Sequence, residues 1–325
     1  MPSDFPGAER LTIGFAHAAY RLGDCFAARK TGIRFFEVRT FDDLKARAGE
    51  ADVLVLSGLW RNELIALAGR LRFVQSVSAG VDQYDKAAFG AHGMRLASAQ
   101  GANERAVSEH AIALILAMAR MIPGARDNQA RRLWRPMISD PAVREDEMGG
   151  KTLLIVGLGR IGQRLAHLAK AFDMRVIGTR RDPSAGAGAA DAVHATADLP
   201  QLLPEADIVA LTCPLTTETE NIVNARSLAL MKKGAVLVNV ARGRCVDEDA
   251  LVAALESGAL AGAALDCTRI EPLPADSKLW SFANVLITPH TAGETRRYEV
   301  NVIDLLQDNL GRLWRGESEL RNQIV

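Results

Sequence analysis

The sequence predicts an α/β protein made of two doubly wound parallel sheets. With about 150 residues to a common domain, 325 residues imply two domains. Short apolar runs alternate with helix-like stretches along both halves of the chain, the pattern of strands joined by helical crossovers. Near the middle a glycine-rich turn follows an apolar strand and opens a helix.

In the first half, strands are expected at residues 11–16, 33–38, 53–56 and 73–77, with a weaker one at 96–99. Helices are expected between them, for example at 42–48 and 61–68. A long helix should run from about Asn103 to Met121 and stop at Pro123-Gly124. Residues 124–150 differ in texture: Arg126, Arg131, Arg132 and Arg135 surround Trp134, and Pro136 and Pro141 follow. They read as an arm or loop, either a solvated linker or an arm that packs on a second subunit.

A second alternation begins at Thr152. It places strands at 152–156, 175–178, 208–211, 235–240, 262–265 and 285–287, with helices between them at 161–171 and 249–257. Residues 183–190, with Pro183, Gly186 and Gly188, read as a flexible connection, and 294–314 as a closing helix. No repeat of solenoid period is present.

Composition narrows the function classes. A hydrophobic share of 48% and a charged share of 24% suit a globular chain with real cores rather than a disordered one. Thirty-nine basic and 39 acidic side chains cancel, which argues against a surface built to neutralise nucleic-acid phosphates. Cys25, Cys213, Cys245 and Cys267 have neither zinc-ligand nor disulfide-framework spacing, so free thiols in a reducing compartment and no metal site are expected. The segment Met1–Arg10 carries Asp4 and Glu9 and lacks the basic start and apolar run of a signal peptide. The apolar stretch 111–119 is too short to span a bilayer, and a soluble cytoplasmic protein is expected.

Gly157-Leu158-Gly159-Arg160-Ile161-Gly162 is a G-x-G-x-x-G placed directly after Leu153-Leu154-Ile155-Val156. The first glycine makes the tight turn, the second lets backbone approach a pyrophosphate, and the third lets helix and strand pack closely. The helix N-terminus adds unpaired N–H groups and a favourable dipole for the phosphates. A dinucleotide is therefore the expected ligand. NAD sites carry an acid about 20 residues on, at the ribose 2′-hydroxyl. Here that stretch reads Gly178-Thr179-Arg180-Arg181-Asp182. A guanidinium fork suits a 2′-phosphate, so NADP is favoured over NAD, with the Thr179 hydroxyl as a further donor. Two alternatives stay open: Asp182 takes the acid's role, or both arginines are solvated surface charges.

Arg242, Glu271 and His290 each lie where a strand ends or shortly after, the edge at which open parallel sheets bind ligands. Their types fit the reduction of a 2-oxo acid. An arginine holds the carboxylate and polarises the carbonyl, a histidine protonates the oxygen, and a glutamate orients the imidazole and favours its protonated form.

These residues, with Gly150-Lys151-Thr152, Thr212-Cys213-Pro214-Leu215-Thr216, Asn239-Val240-Ala241-Arg242-Gly243, Ala264-Leu265-Asp266, Glu271-Pro272 and the run from Asn284 to Gly293, resemble the D-isomer-specific 2-hydroxyacid dehydrogenases, glyoxylate and hydroxypyruvate reductases among them. Ser78-Ala79-Gly80-Val81-Asp82 is similar to the family's substrate loop. The resemblance implies a Rossmann dinucleotide-binding domain at 103–291 and a flavodoxin-like substrate domain discontinuous over 1–102 and 292–325, with the active cleft between them. It implies Arg242, Glu271 and His290 as the catalytic set. It also implies substrate-carboxylate contacts near Ser57, Gly58, Leu59, Ala79 and Gly80, cofactor contacts at Cys213, Pro214 and Asp266, and a homodimer in which the Trp134 arm takes part.

Two departures stand out. Arg180 occupies a position where NAD-preferring relatives carry Asp, and Cys267-Thr268-Arg269-Ile270 precedes Glu271 in place of the commoner run. Arg269 either faces solvent or reaches an anionic substrate group. Trp60 and Arg61 either pack or line the pocket. With the chain stopping at Val325, no C-terminal regulatory domain is expected. Rival functions are phosphite oxidation on the same fold and a dinucleotide-sensing regulator. Formate oxidation is disfavoured because Glu271 stands where a formate enzyme resembling this family carries Gln.

Overall fold

The computed structural model describes residues 5–325, so Asp4 and the first part of the Met1–Arg10 segment lie outside the described residues. The chain forms two compact units, one from the residues up to Asn103 together with Glu294–Val325, the other Glu104–Gly293.

The first unit holds a parallel sheet of β1 (Thr12–Ala16), β2 (Arg34–Val38), β3 (Val53–Leu56), β4 (Phe73–Ser76) and β5 (Arg95–Ala97), in the order β2-β1-β3-β4-β5. Its middle strands read as unbroken apolar runs because both faces are covered. In β3, Val53 and Val55 point into one core with Phe15, Phe73 and the helix Tyr298–Trp314, while Leu54 and Leu56 point into the other with Leu44, Trp60 and Phe89. Each such side chain stabilises the unit by about 1.5–3 kcal/mol relative to exposure. The closing helix begins at Tyr298, four residues later than the pattern from 294 suggested, and presents Val302, Ile303, Leu306 and Leu310 to the sheet.

The second unit holds β6 (Thr152–Val156), β7 (Arg175–Arg180), β8 (Ala192–Ala195), β9 (Ile208–Leu211), β10 (Ala235–Asn239), β11 (Leu260–Leu265) and β12 (Val285–Ile287). All pair in parallel, in the order β12-β11-β10-β9-β6-β7-β8. The winding direction switches between β6 and β9, which opens a crevice at their carboxyl ends.

Four local expectations need correction. The sequence pattern missed β8, a half-exposed edge strand with Val193 as its one large aliphatic residue. The helix expected at 61–68 shortens to Leu64–Leu67, because residues 57–62 turn tightly, with Trp60 N–H donating to the Ser57 carbonyl. Pro123-Gly124 does not end helical structure. Met121, with φ of 50°, breaks the helix Glu104–Ala119, and a new helix Ile122–Ala130 starts with Pro123 in its first turn, where a missing N–H costs nothing. The stretch 124–150 is thus helical at its start, and the two helices meet at 70°. Residues 183–190, expected to be flexible, are fastened: the Gln163 amide donates to the Ala187 carbonyl and accepts from Ala189 N–H. No single helix among the described residues is long and apolar enough to cross a membrane.

Candidate active site

Each glycine of the central turn has a separate physical reason. Gly157 has φ of 102°, and a Cβ there would lie 2.6 Å from the Cys213 backbone. At Gly162 a Cβ would lie 2.6 Å from the Gly157 carbonyl oxygen, so this glycine serves packing. Around Gly159 nothing lies within 4 Å of a Cβ position, which leaves open space on the ligand side. Gly157 and Leu158 donate their N–H groups to the Thr179 carbonyl at 3.0 and 2.7 Å, fixing the turn to β7. The helix Arg160–Lys170 starts at Gly159 with no side-chain cap, so its first amides keep their capacity for an anion. A pyrophosphate fits this cradle. Arg160 is exposed and Ile161 half-buried beside it.

At the end of β7, Arg180 is half-buried and donates to the Gly186 carbonyl at 3.2 Å, while Arg181 is exposed. Asp182 is engaged locally: its Oδ1 accepts from Ser184 N–H at 3.0 Å and Ser184 Oγ at 2.6 Å. Thr179 departs from expectation. It is fully buried and its hydroxyl has no partner, so only its carbonyl serves the turn. Cys213 is buried at the end of β9, with its backbone against Gly157, and Pro214 is exposed. Cys213, Cys245 and Cys267 are buried and none forms a disulfide, and burial pushes Cys267 up, so it is an unreactive core residue.

Glu271 and His290 meet directly: His290 Nδ1 lies 2.7 Å from Glu271 Oε2, and both side chains stay partly open to solvent. The other carboxylate oxygen, Oε1, accepts from Thr268 N–H at 3.0 Å. Glu271's hydrogen bond and charge raise His290 above the ordinary imidazole value, against burial and the nearby Arg242. Burial works against Glu271's charge. The hydrogen bond and charge of His290, with Thr268 and Arg242, outweigh it and leave the carboxyl below its ordinary range. His290 sits at φ of 56°, a left-handed conformation that costs about 1–3 kcal/mol in a side-chain-bearing residue.

Several residues hold these groups in place. Buried Asn239 ends β10, accepts from Ala241 N–H and donates to the Arg242 carbonyl, so the Arg242 turn is set from beneath. Gly243 follows, and a Cβ there would lie 1.9 Å from the Thr268 carbonyl oxygen. The Arg242 loop can therefore reach the loop carrying Glu271 only as glycine. Asp266, just beyond β11, is buried, 2% exposed. Its carboxylate accepts from Thr288 Oγ1 at 2.6 Å, Thr291 N–H at 3.0 Å and Ala292 N–H at 3.1 Å. It thereby clamps both sides of His290. His110 Nε2 lies 3.0 Å from Thr288 Oγ1 and completes this clamp. Sequence reasoning missed His110; its only signal is an ionisable pair, Glu109-His110, ahead of an apolar run. Arg269 is exposed and pairs with Asp249 at 2.9 Å.

In the first unit, the loops after β3 and β4 are stitched together by the Ser57 and Ser78 hydroxyls at 2.7 Å. Ser78 Oγ also donates to the Gly80 carbonyl at 2.7 Å, and Gly58 is exposed with nothing within 4 Å of a Cβ position. Leu59, Ala79 and Gly80 are half-buried. Trp60 takes the packing role, buried against Tyr84 and Phe89. Arg61 is exposed and donates to the Gly58 and Trp60 carbonyls.

Comparison with known proteins places this arrangement. The family model described as D-isomer specific 2-hydroxyacid dehydrogenase, NAD binding domain, matches residues 112–292. A glyoxylate reductase of Aeropyrum pernix is 37% identical over 290 residues, covering 85% of this chain and 84% of that one. A D-3-phosphoglycerate dehydrogenase of Synechocystis is 36% identical over 258 residues, covering 78% of this chain and 45% of that one. The chain spans about half the length of the phosphoglycerate dehydrogenases it matches. A crystal structure of a protein from Thermus thermophilus is 32% identical, with a TM-score of 0.85, and covers 97% of this chain and 100% of that one.

Proposed function

This chain belongs to the D-isomer-specific 2-hydroxyacid dehydrogenase family, and from that premise we propose that it reduces a small 2-oxo acid, such as glyoxylate or hydroxypyruvate, to the D-2-hydroxy acid. The observation that carries this reading is the 2.7 Å Glu271–His290 pair, in which the imidazole is biased toward its protonated form. A bound reduced nicotinamide dinucleotide supplies the hydride. Residues Gly157, Gly159, Arg160, Ile161 and Gly162 hold its pyrophosphate, with Cys213, Pro214 and Asp266 bordering its site.

The protein's own groups do the remaining work. Arg242 holds the substrate carboxylate and draws charge toward the carbonyl oxygen. The backbone of Gly58, Leu59, Ala79 and Gly80 is assigned to substrate binding as well. His290 gives its Nε2 proton to that oxygen as the hydride reaches the carbonyl carbon, and the imidazole becomes neutral while its Nδ1–H stays on Glu271. The half-buried Arg180 and exposed Arg181 at the end of β7 favour NADP over NAD. The arm around Trp134 and Met137, which are 95% and 97% exposed, supports a homodimer, and we place the enzyme in the cytoplasm.

The test is a panel of 2-oxo acids assayed with NADPH and NADH at limiting cofactor. Faster oxidation of NADPH, reversed in Arg180→Asp, is the expected result. Equal preference overturns the arginine reading, and no turnover of any 2-oxo acid overturns the enzyme.

A further inference from the structure

The five-stranded sheet has the order β2-β1-β3-β4-β5, so its winding direction switches between β1 and β3. In such a sheet the ligand crevice opens at the carboxyl ends of those two strands. Ala16 pairs with Leu56 across them, so the next residues, His17 and Ser57, stand on the two sides of that crevice. Ser57 begins the loop assigned above to the substrate carboxylate. His17 was singled out by neither motif nor resemblance.

The tautomer of His17 is set by the backbone. Its Nδ1 accepts from Ala19 N–H at 3.1 Å and from Tyr20 N–H at 2.8 Å. The proton of the neutral ring therefore resides on Nε2, for which the described residues provide no hydrogen-bond acceptor. The ring lies flat on Tyr20, with centroids 4.0 Å apart and planes 3° apart, so its orientation is fixed. Tyr20 in turn contacts Tyr298, whose hydroxyl donates to the Val77 carbonyl next to Ser78. Burial and the neighbouring Arg39 keep the imidazole below its ordinary pKa, against a smaller opposing effect of Glu299. Arg39 itself is occupied by Glu37 at 3.1 Å and by the carbonyls of His17 and Tyr20.

We propose that His17 determines specificity by donating its Nε2–H to a hydroxyl on the carbon beside the substrate carbonyl, so that the chain favours 3-hydroxy-2-oxo acids. A single neutral donor suits one hydroxyl oxygen; it lacks the charge for a phosphate, and a methyl group would leave the N–H unpaired. This rests on the 2-oxo acid reading above.

The test is His17→Asn. The asparagine Oδ1 replaces Nδ1 as acceptor for Ala19 and Tyr20, while the Nε2 donor is lost. The ratio of kcat/KM for hydroxypyruvate over pyruvate should fall by about tenfold, carried by KM for hydroxypyruvate, with Tm retained. An unchanged ratio in an active enzyme overturns the proposal and leaves His17 as a loop cap. If the wild type reduces no 2-oxo acid, the parent reading falls, and this proposal with it. Should His17→Asn lower Tm, His17→Gln serves as the second variant: its amide reaches the Nε2 position, and a ratio as low as that of Asn overturns the proposal.

Discussion

The two sheets differ in what they present at the carboxyl ends of their strands. Beyond β10, β11 and β12 of the seven-stranded sheet stand Arg242, Glu271 and His290, ions with shifted or opposed charges. Beyond β1, β3 and β4 of the five-stranded sheet stand His17, Ser57 and Ser78, neutral groups tied to backbone and to each other. Under the proposed function, the same architecture serves two purposes. Ions are costly to hold in a partly buried edge and are kept where charge develops in a reaction. Neutral donors suffice where a substrate is only recognised.

The sharpest way to break this contrast is His290→Ala. Removing a general acid should lower kcat by about 10²–10⁴-fold, while cofactor binding, read by fluorescence titration, persists. That loss should dwarf the effect of any substitution at His17. A variant keeping a tenth or more of wild-type kcat would mean that the ionic edge does not carry the chemistry.

The edges also differ in how tightly their backbones are packed, and glycine reports it. Gly243→Ala forces a Cβ to within 1.9 Å of the Thr268 carbonyl, where backbone must move on both sides. Overpacking of this kind costs about 1–3 kcal/mol, and in a unit of this size each kcal/mol lowers Tm by about 2–4 °C. Activity should fall with it, because Arg242 and Glu271 ride on the two displaced loops. Gly58→Ala meets nothing within 4 Å and should leave Tm where it is. Equal Tm for the two variants would show that the Arg242 loop yields easily.

Much of this was legible in the sequence because it is local. Unbroken apolar runs such as Val53–Leu56 and Ile208–Leu211 mark buried parallel strands, and the strands were found to within a residue or two. The glycine turn was legible because each glycine answers a backbone demand. What escaped depends on long-range partners. Nothing near Asp266 in sequence says that its oxygens are used by Thr288, Thr291 and Ala292, or that His110, 178 residues from Thr288, closes the same clamp. Thr179 alternates along β7 with Arg180, and only the sheet's packing shows that one side chain is buried and the next is not. Edge strand β8 was missed because it buries too little to need an apolar run.

The smallest expected effect tests whether the ionic edge is tuned. In the native protein His290 is raised above its ordinary 6.5, and Glu271 lies below its ordinary 4.5. The stabilisation from His290 is full below 6.5 and is lost as pH rises through its raised folded value. That from Glu271 is full above 4.5 and is lost as pH falls through its lowered folded value. The charged pair is therefore intact between those two folded values. Reduction needs the protonated imidazole, so kcat/KM should decline on the alkaline side as His290 loses its proton. In Glu271→Gln the amide oxygen still accepts from Nδ1–H and keeps the ring in place, but the negative charge that favours the imidazolium is gone. Burial and Arg242, which both disfavour the cation, then act unopposed by Glu271. The alkaline limb of the pH profile should move to lower pH, and activity well below the limb should change less than kcat in His290→Ala. A limb that stays in place would assign the decline to another group and leave Glu271 as a purely geometric support.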